Sequence, residues 1–186
     1  MKHAKNKVIE ANHSVLTNIQ TLRKQARKHV EEGAVTQGYS ADRVAVIKLL
    51  NGALATELVC VLRYKRHYFM AKGIHSESVK AEFLQHANEE MSHADSLAKR
   101  IIELGGEPNF SPVGLSDRSH SEYVAVDTLN EMIKEDLIAE RIAIESYREM
   151  IAYLAENDPT TQRLLKEILA MEEEHAEDLV SILANV

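Results

Sequence analysis

The sequence predicts an all-α fold: four long helices in two antiparallel hairpins, joined by one long crossover and preceded by a further helix. Three observations predict it. Ala, Leu, Ile, Glu and Lys dominate the 186 residues, while Gly occurs seven times, Pro three times and Trp not at all, a composition of long helices rather than sheets. Caps and breakers fall between the apolar-periodic stretches rather than inside them. Residues 106–127, with Pro108, Pro112, Gly114 and several Ser, read as a long connection.

Taken in order, residues 1–7 read as a tail. From Val8 to Glu32, apolar residues at Val8, Val15, Leu16, Ile19, Leu22, Ala26 and Val30 form one helical stripe. This leader helix is expected to pack on the body or on a neighbouring subunit. Gly33 and the Gly38-Tyr39 turn end it. Ser40 is the expected cap of the first long helix, which runs to Lys72 and stops at Gly73. Ser76 or Ser78 opens the second, which ends at Leu104 before Gly105-Gly106. Thr128 with Glu131 makes a capping box for the third, which runs to Glu156. Asp158, with Pro159 at the first helical position, opens the fourth, which runs almost to Val186. The chain thus divides into a leader, residues 1–39, and a bundle, residues 40–186. The two short links make hairpins. Extended at ~3.3 Å per residue, the connection between them could reach ~70 Å, enough to cross a bundle end to end.

Composition narrows the function classes. The single cysteine, Cys60, excludes a disulfide framework and any CxxC metal or redox site. No run of ~18 apolar residues stands out as a membrane span, and no apolar signal core follows the basic N-terminus. A soluble cytoplasmic protein with no membrane partner is expected. Residues 1–32 carry seven Lys or Arg against three Glu, although the whole chain has a net charge of −7. The body is therefore acidic, which suits a cation binder and argues against a broad nucleic-acid face.

The chemistry is carried by Glu-x-x-His pairs, whose spacing puts a carboxylate and an imidazole on one helix face. Three occur: Glu10 with His13, Glu90 with His93, and Glu172 with His175. Residues equidistant from a hairpin turn lie level. Glu57 and Glu90 are centred on the Gly73 turn, and Glu140 and Glu172 on the turn at Glu156. Each hairpin therefore sets one lone Glu beside one Glu-x-x-His pair, whereas Glu10-His13 has no such partner and reads as a solvated patch. Glu57 and Glu140 each sit in an apolar run, where a carboxylate is costly unless it is paired or bound to metal. A buried salt bridge or a surface position is the plainer reading of either alone. Together the six are the ligand set of a two-metal carboxylate site in a helical bundle. Four carboxylates and two imidazoles without a thiolate suit iron or manganese. By symmetry Glu90 and Glu172 bridge, Glu57 with His93 completes one metal, and Glu140 with His175 the other.

The stretch Glu89-Glu90-Met91-Ser92-His93-Ala94-Asp95, continuing through Ala98-Lys99-Arg100-Ile101-Ile102-Glu103-Leu104-Gly105-Gly106-Glu107-Pro108-Asn109, resembles the bacterioferritin family. Asp136-Leu137-Ile138-Ala139-Glu140 and Glu172-Glu173-Glu174-His175 resemble its third- and fourth-helix motifs, so that the resemblance covers roughly residues 44–183. It implies a ferritin-like four-helix bundle with ferroxidase activity. Two Fe ions per subunit would be oxidised by dioxygen or hydrogen peroxide, and ferric mineral stored in a hollow homo-oligomeric shell. It places Tyr64 where the family has a tyrosine that can donate an electron; a core or interface aromatic is the plainer reading. It places Met91 where bacterioferritins ligate a haem shared across a two-fold axis; an ordinary interface methionine is the preferred reading. No fifth helix follows the fourth, and a leader precedes the first. Both features are similar to the Dps-like branch, which points to twelve subunits rather than twenty-four and away from haem. His67 is either a group near the site or a surface histidine, and Cys60 a packing thiol. The alternatives are a protective DNA-binding protein using the basic leader (Lys2, Lys5, Lys7, Arg23, Lys24, Arg27 and Lys28) and a rubrerythrin-like peroxidase.

Overall fold

The computed structural model describes residues 17–74 and 76–185. Among them are six α-helices: α1 (Ile19–Gln25), α2 (Arg43–Met70), α3 (Ser76–Glu103), α4 (Leu115–Arg118), α5 (Leu129–Leu154) and α6 (Pro159–Leu183). The four long helices close a bundle, with α2 packed on α3 and α5, and α6 packed on α5 and α3. This is the expected pair of hairpins with one crossover.

The helix ends follow their local chemistry. Thr128 and Glu131 form the capping box of α5, and the Asp158 carboxylate caps α6 ahead of Pro159. At the end of α3, Gly106 N–H donates to the Ile101 carbonyl and Gly105 N–H to that of Ile102, both at 2.9 Å. That paired closure needs a left-handed residue, and Gly105 supplies it at φ +76°. A Cβ on Gly106 would lie 2.8 Å from a methyl of Ile47, so glycine lets α2 approach the turn.

Two expectations are corrected. The leader is not one helix over its described part: α1 stops at Gln25, His29 takes φ +51°, and a 3-10 turn follows at Val30–Glu32. α1 buries no residue, so among the described residues it rests on intrinsic propensity and the Asn18 cap, and helices this short are marginal alone. The start of the expected leader helix and the Glu10–His13 pair lie outside the described residues. Ser40 does not cap α2; Asp42 does, accepting from the Val44 and Ala45 N–H groups, while Ser40 Oγ donates to the Asn157 side chain 3.2 Å away. A contact with the α5–α6 turn thus outcompetes the local cap. Finally, α2 is apolar enough to pass as a membrane span by length and composition, with mean hydropathy 1.8 over its best window. Yet 56% of that window is buried, as in a core helix.

The crossover lies along α2 and contains the single turn α4. Arg63 Nη1 donates to the Glu122 carbonyl at 2.8 Å and Arg66 Nη1 to that of Val126 at 2.7 Å. Asn51 Oδ1 accepts from Asn109 N–H at 2.7 Å, and Thr56 Oγ1 accepts from His120 N–H at 2.9 Å. Side chains of one helix therefore satisfy the backbone of a segment that makes no ladder of its own.

The apolar core comes in two parts. One includes Leu50, Leu54, Leu97, Ile101, Leu154 and Leu165; the other includes Cys60, Phe83, Ala87, Met132, Ile133 and Leu179. Each Leu, Ile, Met or Phe among them contributes about 1.5–3 kcal/mol on burial. In sequence, each helix has buried polar residues between its contributions to the two parts: Glu57, Glu90 and His93, Glu140, and Glu172 and His175.

Candidate metal centre

Those six side chains meet in the polar layer. Ligand-type atoms of Glu57, Glu90, His93 and Glu172 all lie within 4.8 Å of one another, as do those of Glu90, Glu140, Glu172 and His175. The two groups share Glu90 and Glu172. His93 Nδ1 is 3.0 Å from Glu172 and 3.4 Å from Glu57 and from Glu90, while His175 Nδ1 is 3.4 Å from Glu90. All six residues are buried, the most exposed being His93 at 8%.

The oxygens divide in a way that tests a metal pair. Both oxygens of Glu90 and of Glu172 lack a hydrogen-bond partner among the described residues, as do one oxygen each of Glu57 and Glu140 and Nδ1 of both histidines. The second oxygen of Glu57 accepts from Tyr147, and that of Glu140 from Tyr64. Buried polar atoms are normally satisfied. Eight orphaned donor atoms converging on one place fit two cations, with two doubly free carboxylates between them and one singly free carboxylate at each end.

The electrostatics agree. Burial pushes the Glu57 and Glu172 carboxyls well above the usual range, reinforced by the like charge of Glu90. Burial and Glu90 together raise Glu140 to about 7. Burial also works against charge on Glu90, but the close approach of Glu57, His175 and His93 outweighs it and holds its carboxyl below the usual range. Burial likewise opposes charge on the imidazoles; contacts with Glu57 and Glu90 overcome it and raise His93 to about 10. Contact with Glu90 does the same for His175, to about 9. Loading such a layer with metal would displace protons from the imidazoles and from the carboxyls that burial raises.

The other predicted residues fall differently. Tyr64 is fully buried and bonds across the bundle to Glu140 as well as to His86 of its own hairpin. Met91 is 39% exposed on α3 while Glu90 and His93 are buried, which leaves it on the opposite side of the helix. His67 is not a surface residue: it is fully buried, with Nδ1 2.8 Å from Asp136, which also accepts from Arg63 at 2.9 Å. Cys60 is buried, and burial raises its thiol well above the usual range.

Three residues were missed. Tyr147 follows Glu140 by seven, as Tyr64 follows Glu57, and that repeated spacing was legible. His86 lies one turn before Glu90, so its face was legible too. Its Nδ1 is 3.1 Å from the Tyr64 hydroxyl and its ring stacks on His175 with centroids 4.0 Å apart. Glu89 lies 2.9 Å from His175 Nε2, and nothing in its spacing marks it.

Fold and site together define a helical-bundle protein with a buried carboxylate–histidine centre. Comparison narrows the class: residues 47–186 match the Ferritin-like domain family, and the chain belongs to it. It is 31% identical over 140 residues to a bacterioferritin of Desulfovibrio desulfuricans, covering 74% of each chain. It is 30% identical over 138 residues to a nutrient stress-induced DNA-binding protein of a Synechococcus species, covering 73% of this chain and 78% of that one. Among solved structures it resembles the dodecameric thioferritin, a bacterioferritin-related protein, of Bacteroides fragilis. That likeness has a TM-score of 0.75 and 32% identity, and covers 78% of this chain and 88% of that one.

Proposed function

We propose that this chain is a ferroxidase that takes up Fe(II) as substrate at the mid-bundle centre and stores the ferric product inside a homo-oligomeric shell. The observation that carries the reading is the division of free oxygens: two on each of Glu90 and Glu172, one on each of Glu57 and Glu140. Glu57, His93 and the two shared carboxylates would hold one iron; Glu140, His175 and the same two carboxylates the other. Four carboxylates balance the charge of two divalent ions, so the pair can assemble in a dry core. Each Fe(II) gives up one electron. The two electrons reduce dioxygen, with two protons, to hydrogen peroxide, or reduce peroxide, with two protons, to two waters. Tyr64 and Tyr147 orient the terminal carboxylates, and both stay protonated because burial and those carboxylates hold their phenols well above the usual range.

The direct test is aerobic Fe(II) addition. Oxidation at two irons per subunit should be fast, with slower mineral growth after it. Glu90→Ala should abolish the fast phase, and an unchanged rate in that variant would sink the assignment. Comparing dioxygen with peroxide settles the oxidant and separates this reading from a peroxidase. A twelve-subunit shell of the 20.9 kDa chain would have a native mass of about 250 kDa.

A second reading rests on Arg23, Lys24, Arg27 and Lys28, which sit close together on an exposed segment. Repeated around a shell, such segments could bind phosphate despite the acidic body. A gel shift at low salt tests it, and no shift removes it.

A further inference from the structure

We propose that Glu82, His86 and Asp178 form a third divalent-cation site, one helical turn along α3 from the centre and linked to it through Tyr64. This goes beyond the two-metal reading, which uses none of the three.

The ligand-type atoms of the trio lie within 4.8 Å of one another. His86 Nε2 is 3.4 Å from Glu82 Oε1 and 3.8 Å from Asp178 Oδ2. The His86 side chain is fully buried, whereas those of Glu82 and Asp178 are 29% and 46% exposed. A buried imidazole thus forms the floor of a site whose two carboxylates open to solvent. His86 Nε2 has no hydrogen-bond partner among the described residues.

Proton accounting explains why. The single phenolic proton of Tyr64 is given to Glu140. For His86 Nδ1 to bond the same hydroxyl at 3.1 Å, Nδ1 must be the donor. In a neutral ring that leaves Nε2 as a bare lone pair facing two carboxylates. A cation resolves the conflict: Nε2 and two carboxylate oxygens bind it, and Nδ1–H keeps its bond to Tyr64. One nitrogen and two oxygens suit a first-row divalent ion such as Fe(II), Mn(II) or Zn(II). With Nε2 occupied, the bonds run in one direction, from His86 to Tyr64 to Glu140. The third ion would thereby fix the terminal carboxylate of the centre, the part that groups behind metal ligands commonly play.

The test is anaerobic equilibrium binding of Co(II) to the full-length assembly, with the ion counted by metal analysis. Glu82→Gln combined with Asp178→Asn should bind one Co(II) fewer per subunit than the parent. Glu90→Ala combined with Glu172→Ala should lose the other two and keep that one. An unchanged count in the first pair of substitutions overturns the proposal. Loss of the pair in the second variant, with the single ion retained, tests the two-metal reading separately. Should the first variant fail to fold by circular dichroism, Asp178→Asn alone serves, because that side chain is nearly half exposed. It should weaken binding of one Co(II) at least about tenfold, and unaltered affinity overturns the proposal equally.

Discussion

Two buried polar clusters in this bundle look alike in composition and differ in bookkeeping. At the α5–α6 turn, the Asp158 oxygens accept from Thr161 N–H, Thr161 Oγ1, Tyr39 and Arg100. Arg100 in turn donates to Thr161 Oγ1 at 2.8 Å and to Glu103 at 3.1 Å. That cluster ties the segment before α2, the end of α3 and the start of α6 to one carboxylate. At mid-bundle, no oxygen of Glu90 or Glu172 has a well-aligned hydrogen-bond partner among the described residues, although His93 and His175 lie close by. A satisfied cluster is a fastener. An unsatisfied one, buried in the same core, carries an energetic deficit that only a ligand removes.

The largest effect should come from breaking the fastener. Asp158→Ala leaves buried Arg100 with only the partly exposed Glu103 carboxylate and removes the α6 cap, and should lower unfolding stability by about 3–5 kcal/mol, read by chemical denaturation. Next, metal should stabilise the centre. Loading with Co(II) at a hundred times its Kd should add about 2.7 kcal/mol over the chelated protein. Glu172→Ala should erase most of that gain; a gain that survives would break the contrast. Tyr147→Phe frees the second oxygen of Glu57 and should weaken binding of one ion by about ten- to a hundredfold, measured by titration. In chelated protein, Glu172→Gln should change stability by less than about 1 kcal/mol, because it replaces a carboxyl whose charged form burial and Glu90 already disfavour. An Asp158-sized loss there would show the two clusters to be the same kind of object.

The smallest effect is one of pH. Burial works against charge on Asp158, but hydrogen bonds from Thr161 and Tyr39 and the charge of Arg100 outweigh it and hold its carboxyl below the usual range. Its contribution is therefore present above the ordinary carboxylate pKa and lost as pH falls through the lower folded value. Acid titration of Asp158→Ala beside the parent should show their stability difference shrinking only in that acid window.

Much of this was legible because it is local. Thr128 with Glu131, Asp158 with Pro159, and Gly105-Gly106 state where helices begin and end, and the structure uses each. The heights of Glu57 against Glu90 and of Glu140 against Glu172 follow from turn position and helical rise alone. The leader's periodicity says nothing about whether a partner surface exists, and α1 has none within the described chain. Ser40 and Asp42 are both good caps, and the choice fell to Asn157, far along the sequence.

The sequence by itself determined the four helices, their pairing and the presence of six metal-type side chains at matched heights, since spacing within a helix and distance from a turn are properties of a single hairpin. Only the tertiary structure decided which atoms remain free. Tyr64 satisfies Glu140 and Tyr147 satisfies Glu57, each across from one hairpin to the other, and His86 meets Asp178 from a separate helix. Those contacts depend on how the two hairpins rotate and settle against each other. The packing of the two apolar half-cores sets that rotation, and no local spacing encodes it.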